Sequence, residues 1–257
     1  MENGLGFYIG DFFVAYYGGM IALGVLAAAG VGYYQTRKFK KSFDDLILLA
    51  AVGGLCGMAG AKALYLLLTF EDIDFSRLSD WRYLNGLLSG GFVFYGGLLG
   101  GIFGIWICRK VFHISIGAYM RIAVPCIPVA HGFGRIGCSL AGCCYGIPYN
   151  GWGAITYTNS MFAPNGQPLF PVQALEACLE FGIAGVLLLY INRFHGKRGF
   201  LIYVGLYAAV RFCLEFFRYD NAERGVFLNV STSQYISLAL LAVVFWLFYW
   251  ERKTAKK

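Results

Sequence analysis

The sequence predicts an all-α integral membrane protein, a bundle of about seven transmembrane helices with a small extracytoplasmic loop region. Three observations predict it. Hydrophobic residues fill 58% of the 257 positions. Charged residues make up 14%, against about 25% in an average soluble domain. The apolar residues also fall into stretches of about 20, the helical length that crosses a hydrocarbon core of roughly 30 Å. A soluble fold of this size cannot bury so much apolar surface or cover itself with so few charges. Collagen, a coiled coil and disorder are excluded, because no G-x-y period exists and aromatics reach 18%.

The seven stretches lie near 11–34, 45–69, 91–112, 116–135, 172–192, 200–219 and 232–250. The first is no cleaved signal peptide, which needs a basic start: Glu2 and Asp11 precede it and the first basic residue is Arg37. The third carries Gly96, Gly97, Gly100, Gly101 and Gly104, which lets neighbouring helices approach closely. The fourth is the weakest, since it holds Arg121, Pro125, Pro128, His131 and Arg135. The remainder is small. Residues 71–90 and 136–171 read as extracytoplasmic segments, with Trp81 and Tyr83 suited to an interfacial belt and a strand-like run at 152–157. No internal repeat or linker interrupts 1–257, which reads as one polytopic membrane domain.

Positive charge sets the orientation. Loops on one side hold Arg37, Lys38, Lys40, Lys41, Arg109, Lys110, Arg193, Lys197, Arg198, Arg252, Lys253, Lys256 and Lys257, thirteen of the 21 basic residues. The opposite side holds Arg77, Arg82, Arg218 and Arg224. The expected arrangement is therefore N-terminus out and C-terminus in. The net charge of +7 belongs to a cytoplasmic rim near membrane lipids and calls for no nucleic acid.

Ionisable residues inside spans cost about 2.5–3.5 kcal/mol each and default to a functional reading. In the sixth stretch Tyr207, Arg211 and Glu215 recur every four residues and Arg218 follows three later, one polar stripe on a helix. At 1.5 Å per residue Arg211 lies about 12 Å below the outer end. His131 and Arg135 in the fourth stretch are again four apart. One reading makes Arg211–Glu215 an internal ion pair that holds the bundle; arginines reaching the outer interface would explain Arg218 but not Arg211. The reading favoured is an anion site. Glu176, Glu180 and Glu215 face Lys62, Arg121, Arg135, Arg211 and Arg218, a positive surplus suited to a phospholipid phosphate.

Eight cysteines divide by place. Cys56, Cys108, Cys126, Cys178 and Cys213 lie in or at the ends of spans and read as small buried apolar residues. Cys138, Cys143 and Cys144 fall outside. Their C-x4-C-C spacing is no standard zinc pattern, and no C-x-x-C redox pair is present. Packing, or close backbone approach around Gly137, Gly142 and Gly146, is the favoured reading.

Taken in order, these residues resemble the prolipoprotein diacylglyceryl transferases. The resemblance covers nearly the whole chain: Tyr16-Tyr-Gly-Gly19, Gly60-Ala-Lys-Ala-Leu-Tyr65, Gly91-Phe-Val-Phe-Tyr95-Gly-Gly-Leu98, Gly134-Arg135-Ile-Gly137 closing at Gly146, Pro171-Val-Gln173-Ala-Leu-Glu176-Ala, the sixth-stretch stripe, and Ser233-Gln234-x-x-Ser237. It implies transfer of the diacylglyceryl group of phosphatidylglycerol to the lipobox cysteine of a preprolipoprotein signal peptide, releasing glycerol phosphate, in the inner membrane and without cofactor or metal. It implies that Arg135 and Arg211 hold the lipid phosphate and that Glu215 orients Arg211. Tyr207, Arg218, Gly96, Gly97, Gly137, Gly146 and Cys138 would line the substrate site.

Three departures stand out. The family's histidine before Gly-Gly is Tyr95, its Arg-x-Gly-Asn ends in Cys138, and its Asn-Gly-Glu becomes Ala141-Gly142-Cys143. The histidine is the family's candidate base. A thiol of pKa about 8.5 needs a base of matched pKa, which a tyrosine near 10 is not. His131 is the alternative base, against a plain packing role; Tyr95 retains a hydrogen bond to offer phosphate. Other readings are a paralogous phospholipid-using transferase with a different acceptor, an organic-anion transporter, and a redox protein using Cys143 or Cys144.

Overall fold

The computed structural model describes residues 6–10, 12–219, 225–228 and 230–254. Glu2, Asp11, Arg224, Lys256 and Lys257, which entered the charge reading, lie outside the described residues. A hairpin of β1 (Gly6–Ile9) and β2 (Phe12–Ala15) leads directly into α1 (Tyr16–Lys38). Then come α2 (Phe43–Leu68), α3 (Trp81–Ser89), α4 (Phe94–Val111), α5 (Ile116–Ala123) and α6 (Cys126–Ala141). After a loop carrying the short strands β3 (Ile155–Thr156) and β4 (Pro168–Leu169), the chain forms α7 (Val172–Phe194) and α8 (Gly199–Leu214). The two-residue strands β5 (Val226–Phe227) and β6 (Val230–Ser231) precede α9 (Thr232–Thr254).

This is an all-α multi-pass membrane protein, as expected. Among the described residues five helices are each long and apolar enough to span, or up to six if α3 and α4, which bend by 76° at the break between them, form one span. The fourth stretch is broken in two for a local reason. Pro125 has no N–H and its ring collides with the preceding turn, so the helix stops at Ala123 and restarts at Cys126. Pro128 is tolerated because it falls in the new first turn, where backbone N–H groups have no helical partner anyway. The restart also carries α6 through Ala141, beyond the loop boundary expected at 136. The first span begins at Tyr16 rather than near 11, because Phe12–Ala15 pair with Gly6–Ile9 instead. Large apolar side chains point outward along the spans, Leu67 at 70% and Phe245 at 75% exposure, as lipid requires. Cys108 is buried, but Cys178 and Cys213 are exposed.

The chain divides into two compact units, residues 35–119 and residues 1–34 with 120–257. In the first, α2 and α4 pack backbone to backbone. A Cβ on Gly104 would sit 2.7 Å from the Val52 carbonyl oxygen, and one on Gly100 or Gly96 would collide with the Cys56 or Gly60 carbonyl. The third-stretch glycines are thus a helix-packing face, Gly96 and Gly97 included. Gly100→Val is expected to cost about 3 kcal/mol, the upper end of overpacking, while Leu99→Val on the exposed face changes little; thermal unfolding in detergent measures both. Lys62 donates to the Leu87 and Gly90 carbonyls and lies over the Tyr65 ring at 4.8 Å.

In the second unit Val124, Ile183 and Leu187 form a core with Met120, Ile202, Tyr203 and Val210 against it. Helix α1 meets α6 where a Cβ on Gly24 would lie 2.9 Å from Phe133 Cβ and one on Gly137 3.1 Å from Tyr17 Cδ2. Helix α9 opens with a capping box. Gln234 N–H donates to Ser231 Oγ (3.3 Å) and Ser231 N–H to Gln234 Oε1 (3.0 Å).

Candidate functional site

Three helix faces supply the site, all in the unit of residues 1–34 and 120–257. On α7, Gln173, Glu176 and Glu180 recur at helical spacing and are almost fully buried. On α6, His131 and Arg135 are one turn apart. On α8, Tyr207 and Arg211 are one turn apart, and Glu215 begins the short 3-10 turn Glu215–Phe217 that ends it. The stripe expected over Tyr207–Arg218 is therefore α-helical to Leu214 and 3-10 helical to Phe217, and Arg218 is extended.

The faces interlock through charge. His131 Nδ1 lies 3.0 Å from Glu180 Oε1. Arg135 Nε is shared between His131 Nε2 (3.2 Å) and Glu176 Oε1 (3.2 Å). Arg211 Nη1 lies 3.6 Å from Glu176 Oε2, and Arg211 Nη2 2.7 Å from Glu215 Oε2. Arg211 Nη2 also donates to Ser233 Oγ at 3.4 Å. Arg218 Nη1 stands 4.0 Å from Glu215 Oε2. The Tyr207 ring meets His131 edge-on at 5.4 Å. Glu176 therefore sets the spacing of the two central guanidiniums, and Glu180 stands against Nδ1 of the His131 ring.

Three arginines face three glutamates here, so the positive surplus inferred from sequence is absent from the cluster. Lys62 lies in the other unit on backbone carbonyls, and Arg121 sits on α5. The Arg211–Glu215 ion pair exists. It does not exhaust Arg211, whose buried Nη1 makes only the longer 3.6 Å ion-pair contact with Glu176 and no hydrogen bond among the described residues. An anionic oxygen at hydrogen-bond distance would engage that donor more fully. Bidentate geometry makes arginine the natural phosphate ligand.

The structure brings Arg135, Arg211, Glu215, His131, Tyr207 and Arg218 together. Gly137 packs on α1 instead. Gly146 is a close backbone crossing: a Cβ there would lie 3.0 Å from the Phe217 carbonyl oxygen and collide with that of Phe170. It lets Ile147 N–H reach Phe217 O (2.9 Å) and Tyr219 N–H reach Tyr145 O (3.1 Å), which places Arg218. Tyr95, in the first turn of α4, belongs to the other unit and is half exposed there. Glu176, Glu180, Gln173 and Ser233 were not among the site residues expected. Helical spacings of three and four, Gln173–Glu176, Glu176–Glu180 and Ser233–Ser237, were the available signal.

Cys138, Cys143 and Cys144 converge beside Arg135 and Arg218. The thiols of Cys138 and Cys143, as donors, with Arg218 and Arg135 behind them, hold Cys144 well below the usual thiol range. Cys143 is pushed up, because its S–H is engaged with Cys138 and Cys144. Gln173 Nε2 donates to the Cys143 carbonyl at 2.9 Å, so the buried glutamine of α7 anchors this loop.

Residues 5–250 match the family model described as prolipoprotein diacylglyceryl transferase. A phosphatidylglycerol–prolipoprotein diacylglyceryl transferase of Clostridium tetani is 35% identical over 237 residues, 92% of each chain. A second such protein, from Clostridium perfringens, is 32% identical over 88% of this chain and 86% of its own. One from Dehalococcoides mccartyi is 30% identical over 98% and 94%.

Proposed function

Because the chain belongs to the prolipoprotein diacylglyceryl transferase family, we propose that it moves the diacylglyceryl group of phosphatidylglycerol to the lipobox cysteine of a preprolipoprotein. The observation that carries the site assignment is the paired guanidiniums of Arg135 and Arg211, set on one buried carboxylate, Glu176, with Arg211 Nη1 held there by a 3.6 Å contact and no hydrogen bond.

In the reaction the acceptor thiol forms a carbon–sulfur bond at the glyceryl carbon that carries the phosphate. The carbon–oxygen bond breaks, and its electron pair leaves on glycerol phosphate. Negative charge on the leaving phosphate meets Arg135 and Arg211, groups already oriented and water-poor. The thiol proton passes to His131 Nε2, whose ring is fixed by Glu180. That nitrogen accepts from Arg135 Nε, which sets the base and the phosphate-binding guanidinium side by side. Tyr207, beside His131, lines the same space, and Arg218 flanks it. Buried ionic networks add little net stability, which favours a chemical reason for this one.

We infer that the chain lies in the bacterial inner membrane with its N-terminus out and its C-terminus in, an arrangement that takes an odd number of crossings and puts residues 71–90 and the loop after α6 outside. The sidedness rests on the basic residues at its loops. A second reading, transfer to another acceptor, is favoured by Tyr95 and Cys138 at positions where the family has histidine and asparagine.

Reconstitution with phosphatidylglycerol and a lipobox peptide tests both. The expected result is a peptide heavier by one diacylglyceryl group, with glycerol phosphate released in equal amount. No product beside an active family enzyme, with phosphatidylglycerol still bound, transfers the assignment to the second reading.

A further inference from the structure

Outside the ion-pair cluster, a second dense group of reactive atoms among the described residues is made of sulfur. The Sγ atoms of Cys138, Cys143 and Cys144 all lie within 4.8 Å of one another. Cys138 is buried on α6, and the other two are half-buried on the turn that leaves it. That turn needs two left-handed residues, Gly142 at φ 77° and Cys144 at φ 57°. Glycine adopts this conformation freely, whereas a residue with a Cβ resists it. The strained second position swings the Cys144 thiol back toward Cys138. Outer contacts hold the arrangement: Gln173 Nε2 donates to Cys143 O (2.9 Å) and Tyr157 Oη to Ser139 O (2.9 Å).

We propose that Cys138, Cys143 and Cys144 are a three-thiolate site for one thiophilic closed-shell cation, Zn2+ or Cu+. A metal–sulfur bond of about 2.3 Å puts the sulfurs of a tetrahedral or trigonal site about 3.8–4.0 Å apart. Sulfurs already within 4.8 Å close on an ion by small side-chain rotations. The donor set contains sulfur alone, since His131 is engaged by Glu180 and Arg135. Such a set selects zinc or cuprous ions over calcium or magnesium. On loading, each protonated thiol releases its proton to solvent and forms a metal–sulfur bond, with no electron transferred. Three thiolates around either ion carry net negative charge, and Arg135 and Arg218 are near enough to offset it. A disulfide would use two of the sulfurs and leave the third unexplained.

The test uses the full chain in detergent, reduced and stripped of metal, then equilibrated with Zn2+ or Cu+ and separated from excess. One ion per chain is expected, and Co2+ used as a probe gives thiolate-to-metal charge-transfer absorption of three-sulfur intensity. Cys138→Ser, Cys143→Ser and Cys144→Ser each weaken binding by more than the roughly 10–100-fold that loss of an outer partner costs. Gln173→Leu falls within that range. Cys178→Ser and Cys213→Ser leave binding unchanged. Thermal unfolding of the stripped variants shows that they fold, and competition with a chelator ranks the two ions. No retained ion of either kind, or equal stoichiometry in the triple serine variant, overturns the proposal. The readout is independent of transfer activity.

Discussion

Arg211→Ala is expected to cut diacylglyceryl transfer by about 10³-fold or more and to destabilise the protein by about 3–5 kcal/mol. The kinetic loss follows from removing a preorganised donor where charge develops. The stability loss follows from burial: Arg211 is 8% exposed, and its removal strands the Glu215 carboxylate from the guanidinium nitrogen 2.7 Å away. The two effects separate in the double variant Arg211→Met/Glu215→Gln, which removes both members of the 2.7 Å pair and takes from Arg218 only its longer 4.0 Å contact. Its thermal unfolding in detergent returns toward that of the parent while transfer stays lost. A double variant that regains transfer would show that the ion pair only holds the helices together.

His131→Ala is expected to lower kcat by roughly 10²–10⁴-fold, the usual worth of a positioned general base. KM for phosphatidylglycerol changes little, because the arginines remain. Glu180→Gln produces a smaller fall, as it removes the group that orients the ring and not the proton acceptor. Added imidazole restores part of the rate to His131→Ala and none to Glu180→Gln, a split that a packing role for His131 would not give. Full activity in His131→Ala together with its loss in Tyr95→Phe would return the base to α4.

The i,i+4 pairs of the site were legible in the sequence, because helical periodicity alone puts His131 with Arg135 and Arg211 with Glu215. Their partners were not. Which face of α7 meets which face of α6 depends on packing that one sequence does not display, so Glu180 read as charge and not as a neighbour of His131. The same gap produced the apparent positive surplus. Lys62 looked like a spare cation until its ammonium was found on the Leu87 and Gly90 carbonyls. Span positions followed from apolar length wherever no proline intervened. Pro125 was visible, but whether a proline kinks a span or ends it is decided by what pairs with the freed carbonyls. The meeting of the three sulfurs was hidden for another reason. It depends on a left-handed Cys144, which local preference argues against.

The unit containing the site is discontinuous in the chain, and this gives its assembly a timetable. Helix α1 seats against α6 at Gly24 and Gly137, yet residues 35–119 are made between them. At roughly 5–20 residues per second, α1 waits on the order of 10 s in the bilayer before its partner exists. The intervening α2–α4 pair is complete by then, so the ribosome delivers the glycine-rich unit finished and the catalytic unit last.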